Sequence, residues 1–248
     1  VTFYLGTHQV NWLATLGVPL FVSRRRLETM KRLPRAAATW ALDSGGFTEL
    51  SMHGAWQLDA RAYVAQVRRY RDDIGSLAWA APQDWMCEPE MLRRTGLTVA
   101  EHQARTLANY LELRALAPEL PIVPVLQGWA RGDYLDHVDA YTAAGVDLLA
   151  EPLVGVGTVC RRQNTVSASL LLAWLADEGL RLHGFGFKRT GLASPGGRLL
   201  ASSDSLAWSY DARRAEPLHG CEHASCANCA RYAMAWREET LRQIGATS

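Results

Sequence analysis

Chemistry in this sequence concentrates in two places: polar residues that follow short β-rich runs, and a Cys/His cluster near the C-terminal end. The segment Cys221-Glu222-His223-Ala224-Ser225-Cys226-Ala227-Asn228-Cys229 offers four soft or borderline metal donors. Cys226-x-x-Cys229 has the spacing of half a zinc knuckle, and Cys221 with His223 would complete a tetrahedral site. His219 competes with His223 for the fourth place. Four protein donors leave no open position, so the expected Zn2+ is structural. A redox Cys-x-x-Cys is the alternative, although such pairs usually lie beside a βαβ unit without further Cys and His. An odd count of five cysteines, clustered this way, fits metal better than disulfides. Cys87 and Cys160 stand apart and read as plain core or loop thiols.

The elements that would position the remaining polar residues are eight β-rich runs, at 2–6, 19–23, 40–47, 77–84, 122–127, 147–154, 182–188 and 199–208. Amphipathic segments at 59–74, 98–117, 132–144 and 165–178 lie between several of them. The second of these opens on a capping box, Thr98-x-x-Glu101. Alternating strands and helices imply a parallel sheet. Eight strands in 248 residues suggest an α/β fold of the (β/α)8 TIM barrel type, with an open doubly wound sheet as the alternative. The expected division is a barrel over 1–215, then a zinc-binding segment with a last helix (230–244) over 216–248.

In such a barrel, chemistry sits at the carboxyl ends of the strands. Reading each run to its end yields His8, Arg24, Asp43, Asp84, Gln127, Glu151, Lys188 and Asp204. Strand ends lie near solvent, so any one polar residue there means little. Several carboxylates in one mouth, however, can separate in pKa and divide the roles of nucleophile and base. Asp43-Ser44-Gly45-Gly46-Phe47 is the sharpest local feature, since two glycines after a strand-end Asp let the backbone approach a ligand closely. Arg24-Arg25-Arg26, Arg161-Arg162, Lys188-Arg189 and Arg213-Arg214 also follow strand ends, which hints at an anionic ligand such as the phosphates of a strand. Phe47, Trp85 and Trp129 are near enough in sequence to stack on a base, and each also suits a core.

Bulk properties limit the classes. With 26 Lys and Arg against 25 acids, affinity for a polyanion must come from charge placement rather than total charge. No apolar run approaches the ~20 residues of a membrane span. The first residues lack the pattern of a signal peptide, so a cytoplasmic location is expected.

Together these residues resemble the tRNA-guanine transglycosylase superfamily, which carries an Asp-Ser-Gly-Gly-Phe motif matched here by Asp43 to Phe47. Its base-recognising Asp is matched by Asp84, its Val-Gln-Gly segment by Leu126-Gln127-Gly128, and its glycine-rich pocket segment by the stretch from Glu151 to Gly157. Its nucleophilic Asp is matched by Asp204. The family zinc pattern, Cys-x-Cys-x2-Cys with a distant His, is permuted here, with His223 in the middle and Cys229 replacing that His. The compact length, Gln83-Asp84-Trp85-Met86-Cys87 and Glu151-Pro152-Leu153 look most like the DNA deazapurine-modification (DpdA-like) branch.

The resemblance implies a transferase that exchanges guanine for a preQ0-type 7-deazaguanine base in nucleic acid, DNA before tRNA. Asp204 would form a covalent glycosyl-enzyme, and Asp43 would deprotonate the incoming base. Asp84 and Gln127 would hydrogen-bond the base edge, while Ser44, Gly45, Gly46, Phe47, Gly128, Gly155 and Lys188 complete the binding site and Glu151 reads the 7-substituent. Three alternatives stay open: tRNA as substrate, a small nucleoside or sugar phosphate, and a non-catalytic nucleic-acid-binding barrel. A homodimer, and partner proteins that give access to DNA, are open as well.

Overall fold

The computed structural model describes residues 1–245. The eight strands are β1 (Thr2–Thr7), β2 (Leu20–Ser23), β3 (Trp40–Asp43), β4 (Leu77–Ala80), β5 (Val125–Leu126), β6 (Val154–Val156), β7 (Leu182–Gly184) and β8 (Ser202–Ser205). They form one parallel sheet in the order β4-β3-β2-β1-β8-β7-β6-β5. The helices expected from periodicity are present as Ala60–Ile74, Val99–Leu116, Arg131–Ala143, Val166–Asp177 and Ala230–Gly245. The capping box forms in full: Glu101 N donates to Thr98 Oγ1 at 3.2 Å, and Thr98 N donates to Glu101 Oε2 at 2.8 Å. The first two crossovers are short, carrying only Trp12–Thr15 and Arg24–Leu27.

The sheet is a curled half-barrel and not the closed barrel expected. Its edges, β4 and β5, share no ladder; a single parallel bridge joins Ala80 to Ile122. Two backbone bonds make that bridge, Ala80 N to Pro121 O at 2.9 Å and Val123 N to Ala80 O at 3.1 Å. Pro82, Pro121 and Pro124 flank the seam, and proline has no N–H to extend a ladder.

Side chains alternate across the sheet with period two. Leu5, Val22, Trp40, Leu42, Ala80, Val154 and Leu182 pack outward against the helices. Tyr4, Phe21, Ala41 and Trp79 pack together on the inner face, joined by Ala81, Val123 and Leu153. Two residues after this inner layer come Gly6, Ser23 and Asp43, and two after Ser202 comes Asp204, so an apolar floor supports a polar layer at the carboxyl ends. The C-terminal helix packs Trp236 on Phe3 of β1, with ring centroids 6.1 Å apart. No helix among the described residues is long and apolar enough to cross a membrane.

Most strands are shorter than the runs that announced them, and two cases have a plain local cause. The run at 40–47 ends as a strand at Asp43, because Gly45 takes φ +82° and starts the helix Gly46–His53. The run at 147–154 begins as a strand only at Val154, since Asp147 Oδ1 accepts from the N–H groups of Leu149 and Ala150 and holds a turn there.

Gly6 lets β1 run close against the end of β8: a Cβ there would sit 2.9 Å from the Ser205 backbone carbonyl. Backbone cannot swing away as a side-chain tip can, so Gly6→Ala should destabilise the fold by about 1–3 kcal/mol. In a thermal melt followed by circular dichroism this is a loss of roughly 3–10 °C. An unchanged melting temperature would mean that the β1–β8 contact yields more easily than its packing implies.

Candidate active site

A cavity of about 450 Å³ opens at the carboxyl ends of the strands and is lined by Asp43, Asp84 and Asp204 together with Gln127, Thr158 and Glu88. Asp43 comes from the end of β3 and Asp204 from β8, while Asp84 follows β4 in the loop that crosses the seam. Burial pushes the Asp43 carboxyl above its ordinary range, with hydrogen bonds from Ser23 and the Gly45 backbone opposing and the Asp204 charge adding to the rise. Asp84 is raised to about 7, first by burial and then by the charge of Asp43. Burial thus moves both Asp43 and Asp84 toward holding a proton, the direction that general acid–base work uses.

Asp84 is held from both sides. Ser44 Oγ donates to Oδ1 at 3.2 Å, and Gln127 Nε2 donates to Oδ2 at 2.6 Å. The other end of the Gln127 amide accepts from Thr158 Oγ1 at 2.6 Å. The Gln127 backbone is fixed in turn, its N–H donating to His137 Nδ1 at 2.9 Å and its carbonyl accepting from Gln103 Nε2 at 2.7 Å. Burial pushes His137 down to about 4, so its ring stays neutral and can accept. A Cβ on Gly157 would lie 2.2 Å from Gln127 Nε2, so only glycine leaves room for that amide.

Asp204 is anchored through one oxygen. Gly186 N donates to Oδ1 at 2.9 Å, and His183 Nε2 lies 3.3 Å from the same atom. His183 is fully buried among Tyr4, Phe21, Trp79 and Phe185, and burial lowers its pKa. As a neutral ring facing an ionised carboxylate it carries its proton on Nε2, leaving Nδ1 to accept from Ser202 Oγ at 2.9 Å. Both bonds fall on Oδ1, so Oδ2 is the oxygen left to the cavity. His183 was not among the residues singled out from sequence. Its only signal there is a histidine inside the apolar run Leu182-His183-Gly184-Phe185.

The Asp43-Ser44-Gly45-Gly46-Phe47 turn is locked from below by Arg24, which is 2% exposed. Arg24 donates to Ser44 O at 3.1 Å, Glu49 at 2.7 Å, Glu28 at 2.6 Å and Gln66 at 3.2 Å. The reading of the Arg24-Arg25-Arg26 run as a contact for an anion is therefore corrected at Arg24, whose donors are consumed inside the fold. Arg25 also pairs with Glu49, at 3.0 Å, and Arg26 is exposed.

Other expectations divide. Ser44, Gly46 and Phe47 line the cavity, and Gly45 sits directly behind it against Arg25. Gln127 lines it but is fully buried, so it reaches a ligand chiefly through Asp84. Gly128 packs against Tyr134, and Gly155 lies inside β6 under the Phe185 ring. Lys188 lines a neighbouring hollow. Glu151 is not at this end of the sheet: it precedes β6, accepts from Tyr110 Oη at 2.8 Å and lines a separate cavity with Thr2 and Arg181. Its place after β6 is taken by Thr158, which supports Gln127 and also receives the Cys87 backbone N–H at 2.9 Å. Trp85 turns into a small core with Leu50 and Met91, whereas Phe47 and Trp129 remain exposed.

Near the C-terminal end, one donor atom each from Cys221, His223, Cys226 and Cys229 lie within 4.8 Å of one another. His223 Nε2 is 3.2 Å from Cys226 Sγ, and Cys221 Sγ is 4.0 Å from Cys229 Sγ. Sulfurs bound ~2.3 Å from a tetrahedral metal would stand slightly under 4 Å apart, so the cluster could hold an ion such as zinc. His219 is outside this group and only offers its carbonyl to Arg231.

The family model described as "DpdA: DeoxyPurine in DNA protein A" matches residues 1–248, the whole chain. No curated protein matches the sequence.

Because its folded pKa lies above its unfolded one, Asp84 binds more protons in the folded chain. Its contribution to stability therefore falls as pH rises from about 4 to about 7, and the cost is fully expressed above that. Asp84→Asn should relieve that cost, so the variant's melting temperature should gain on the wild type by roughly 5 °C or more between about pH 5 and pH 8. A difference that stays constant over that range would mean that Asp84 titrates as an ordinary carboxylate.

Proposed function

The chain belongs to the DpdA family, and from that premise we propose that it exchanges guanine in DNA for a 7-deazaguanine base of the preQ0 type. The observation that carries this reading is the trio of aspartates in one cavity, with Asp204 anchored through one oxygen and Asp43 raised toward protonation.

In the first half of the reaction, Asp204 Oδ2 attacks the anomeric carbon and forms a bond to C1′ as the bond to guanine N9 breaks. The departing base keeps the electron pair and takes a proton from Asp43, whose raised pKa keeps that proton available. In the second half, Asp43 accepts the N9 proton of the incoming base, which attacks C1′ and releases the Asp204 carboxylate. No water is consumed, so each half returns what the other took. The Asp204 charge also stabilises the oxocarbenium-like state between the two bonds.

Base recognition falls to Asp84, each of whose oxygens holds one protein bond and keeps capacity for a second. The amide N–H and amino group of guanine, and of its 7-deaza analogues, are donors that match a carboxylate on this edge. Both Asp84 and Gln127 are buried, so a base must leave its stack to reach them, at a cost of a few kcal/mol.

Zinc is the metal that best suits the Cys3His cluster, and with four protein donors it would be structural. It would cross-link the loop after β8 to the start of the C-terminal helix. Metal analysis should find about one zinc per chain, and Cys226→Ser should lose it and melt earlier. A metal-free protein whose melt ignores chelators would overturn the assignment.

Asp204→Asn tests the chemistry. With DNA radiolabelled in guanine and a 7-cyano-7-deazaguanine acceptor, wild type should release guanine and the variant should lose at least about 1,000-fold in rate. The covalent protein–DNA adduct seen on denaturing gels should vanish with it. Near-normal release by the variant would remove Asp204 from the nucleophile's role.

A further inference from the structure

Beyond the base-sized cavity, the rim of the sheet's carboxyl end carries a repeated arrangement. Three aromatic rings stand exposed there: Phe47 at 47%, Trp129 at 37% and Tyr210 at 49%. Each has an arginine guanidinium over its face. Arg161 lies 5.9 Å from the Phe47 centroid, Arg162 lies 4.4 Å from Trp129, and Arg214 lies 4.1 Å from Tyr210. Phe47 sits on the helix Gly46–His53 after β3, Trp129 in the loop after β5 and Tyr210 on the helix Ala207–Ala212 after β8, so the rings are spread around the mouth and not grouped on one element.

We infer that these ring–arginine pairs form a track for single-stranded DNA, on which the nucleotides flanking the target base unstack from their neighbours and restack on protein. This rests on the reading of the cavity as one that receives a base from DNA. A second hollow of about 560 Å³ adjoins that cavity, sharing Cys160, Gly186 and Leu206 with it. Its wall contains Tyr210 and the cations Arg161 and Lys188. Among the described residues, neither Lys188, Arg213 nor Arg214 takes part in an ion pair, so these charges are available to phosphates.

The physical logic favours unpaired DNA. A charged surface alone tracks the backbone of duplex and single strand alike. Rings with exposed faces contribute only where bases are free to stack, and an arginine beside each ring supplies charge and a second planar surface. A duplex keeps its bases stacked on one another and offers these rings nothing to receive.

The test is fluorescence anisotropy at about 0.15 M salt, comparing labelled oligo(dT) with a labelled blunt duplex of equal length. Oligo(dT) should bind at least about tenfold more tightly, and Trp129→Ala and Tyr210→Ala should each weaken it by roughly tenfold while leaving duplex binding and melting temperature nearly unchanged. Equal affinity for duplex, or ring variants that bind oligo(dT) like wild type, would overturn the track. Because oligo(dT) contains no guanine, this result is independent of base exchange: a protein that binds it as described but releases no guanine would refute the proposed reaction and leave the track standing.

Discussion

Holding three aspartates in one hollow is the constraint around which the carboxyl end of this sheet is organised. Removing an ionised carboxylate from water costs several kcal/mol unless it is paired, hydrogen-bonded or neutralised. Each of the three meets that cost differently. Asp84 moves its pKa to about 7 and accepts bonds from Ser44 and Gln127. Asp204 takes a backbone N–H and a neutral imidazole. Asp43, partly open to solvent, relies on Ser23, the Gly45 backbone and the nearby charge of Arg24. Burial raises Asp43 and Asp84 toward protonation in these surroundings, and the proposed sharing of roles rests on that rise.

The open seam is where this arrangement is most exposed to distortion. Between β4 and β5 the backbone provides one bridge, whereas the other strand neighbours are joined by ladders. Side chains supply much of the rest at the site itself. The Gln127–Asp84 bond runs from the end of one edge strand to the loop after the other. Tyr63 Oη adds a bond to Ala81 O at 2.5 Å, and Asn109 Nδ2 reaches Gln83 O at 2.6 Å, so two outer helices hold the same loop. The bond that fixes Asp84 also helps fasten the sheet's two edges, which couples the pocket's shape to the integrity of the fold.

Arginine illustrates how one residue type divides its work by depth. Arg24, buried, spends its donors on Ser44, Glu49, Glu28 and Gln66, and removing it would leave the buried Glu49 with Arg25 as its one remaining ion-pair partner among the described residues. Arg162 is intermediate, tying Trp129 O and Thr158 O together while lying over the Trp129 ring. Arg213 and Arg214 stand in solvent. The first kind shapes the site, and only the last kinds are free to meet a ligand.

Much of this was legible in the sequence because it is local. Helical periodicity, the Thr98 capping box and the Gly45-Gly46 turn depend on neighbours within a few residues, and the four donors from Cys221 to Cys229 meet because they lie within one short segment. The order of the polar ends, from Asp43 to Asp204, could be read because a parallel α/β sheet puts every strand's carboxyl end on one side. Register was not legible. The run from Asp147 to Val156 is apolar enough to begin a strand at several points, and pairing of Val154 with Leu182 decided that Glu151 falls at the far end and Thr158 at the near one. Partners across strands were hidden for the same reason: His183 meets Asp204 only because His183 pairs with Ser202, which places the two side chains on one face of the sheet. Closure was hidden too, since it depends on whether the first and last strands in space can exchange N–H groups, and prolines at the seam settle that only once those strands are known to be neighbours. Local pattern therefore determined which residues had chemistry to offer, and long-range pairing decided which of them meet.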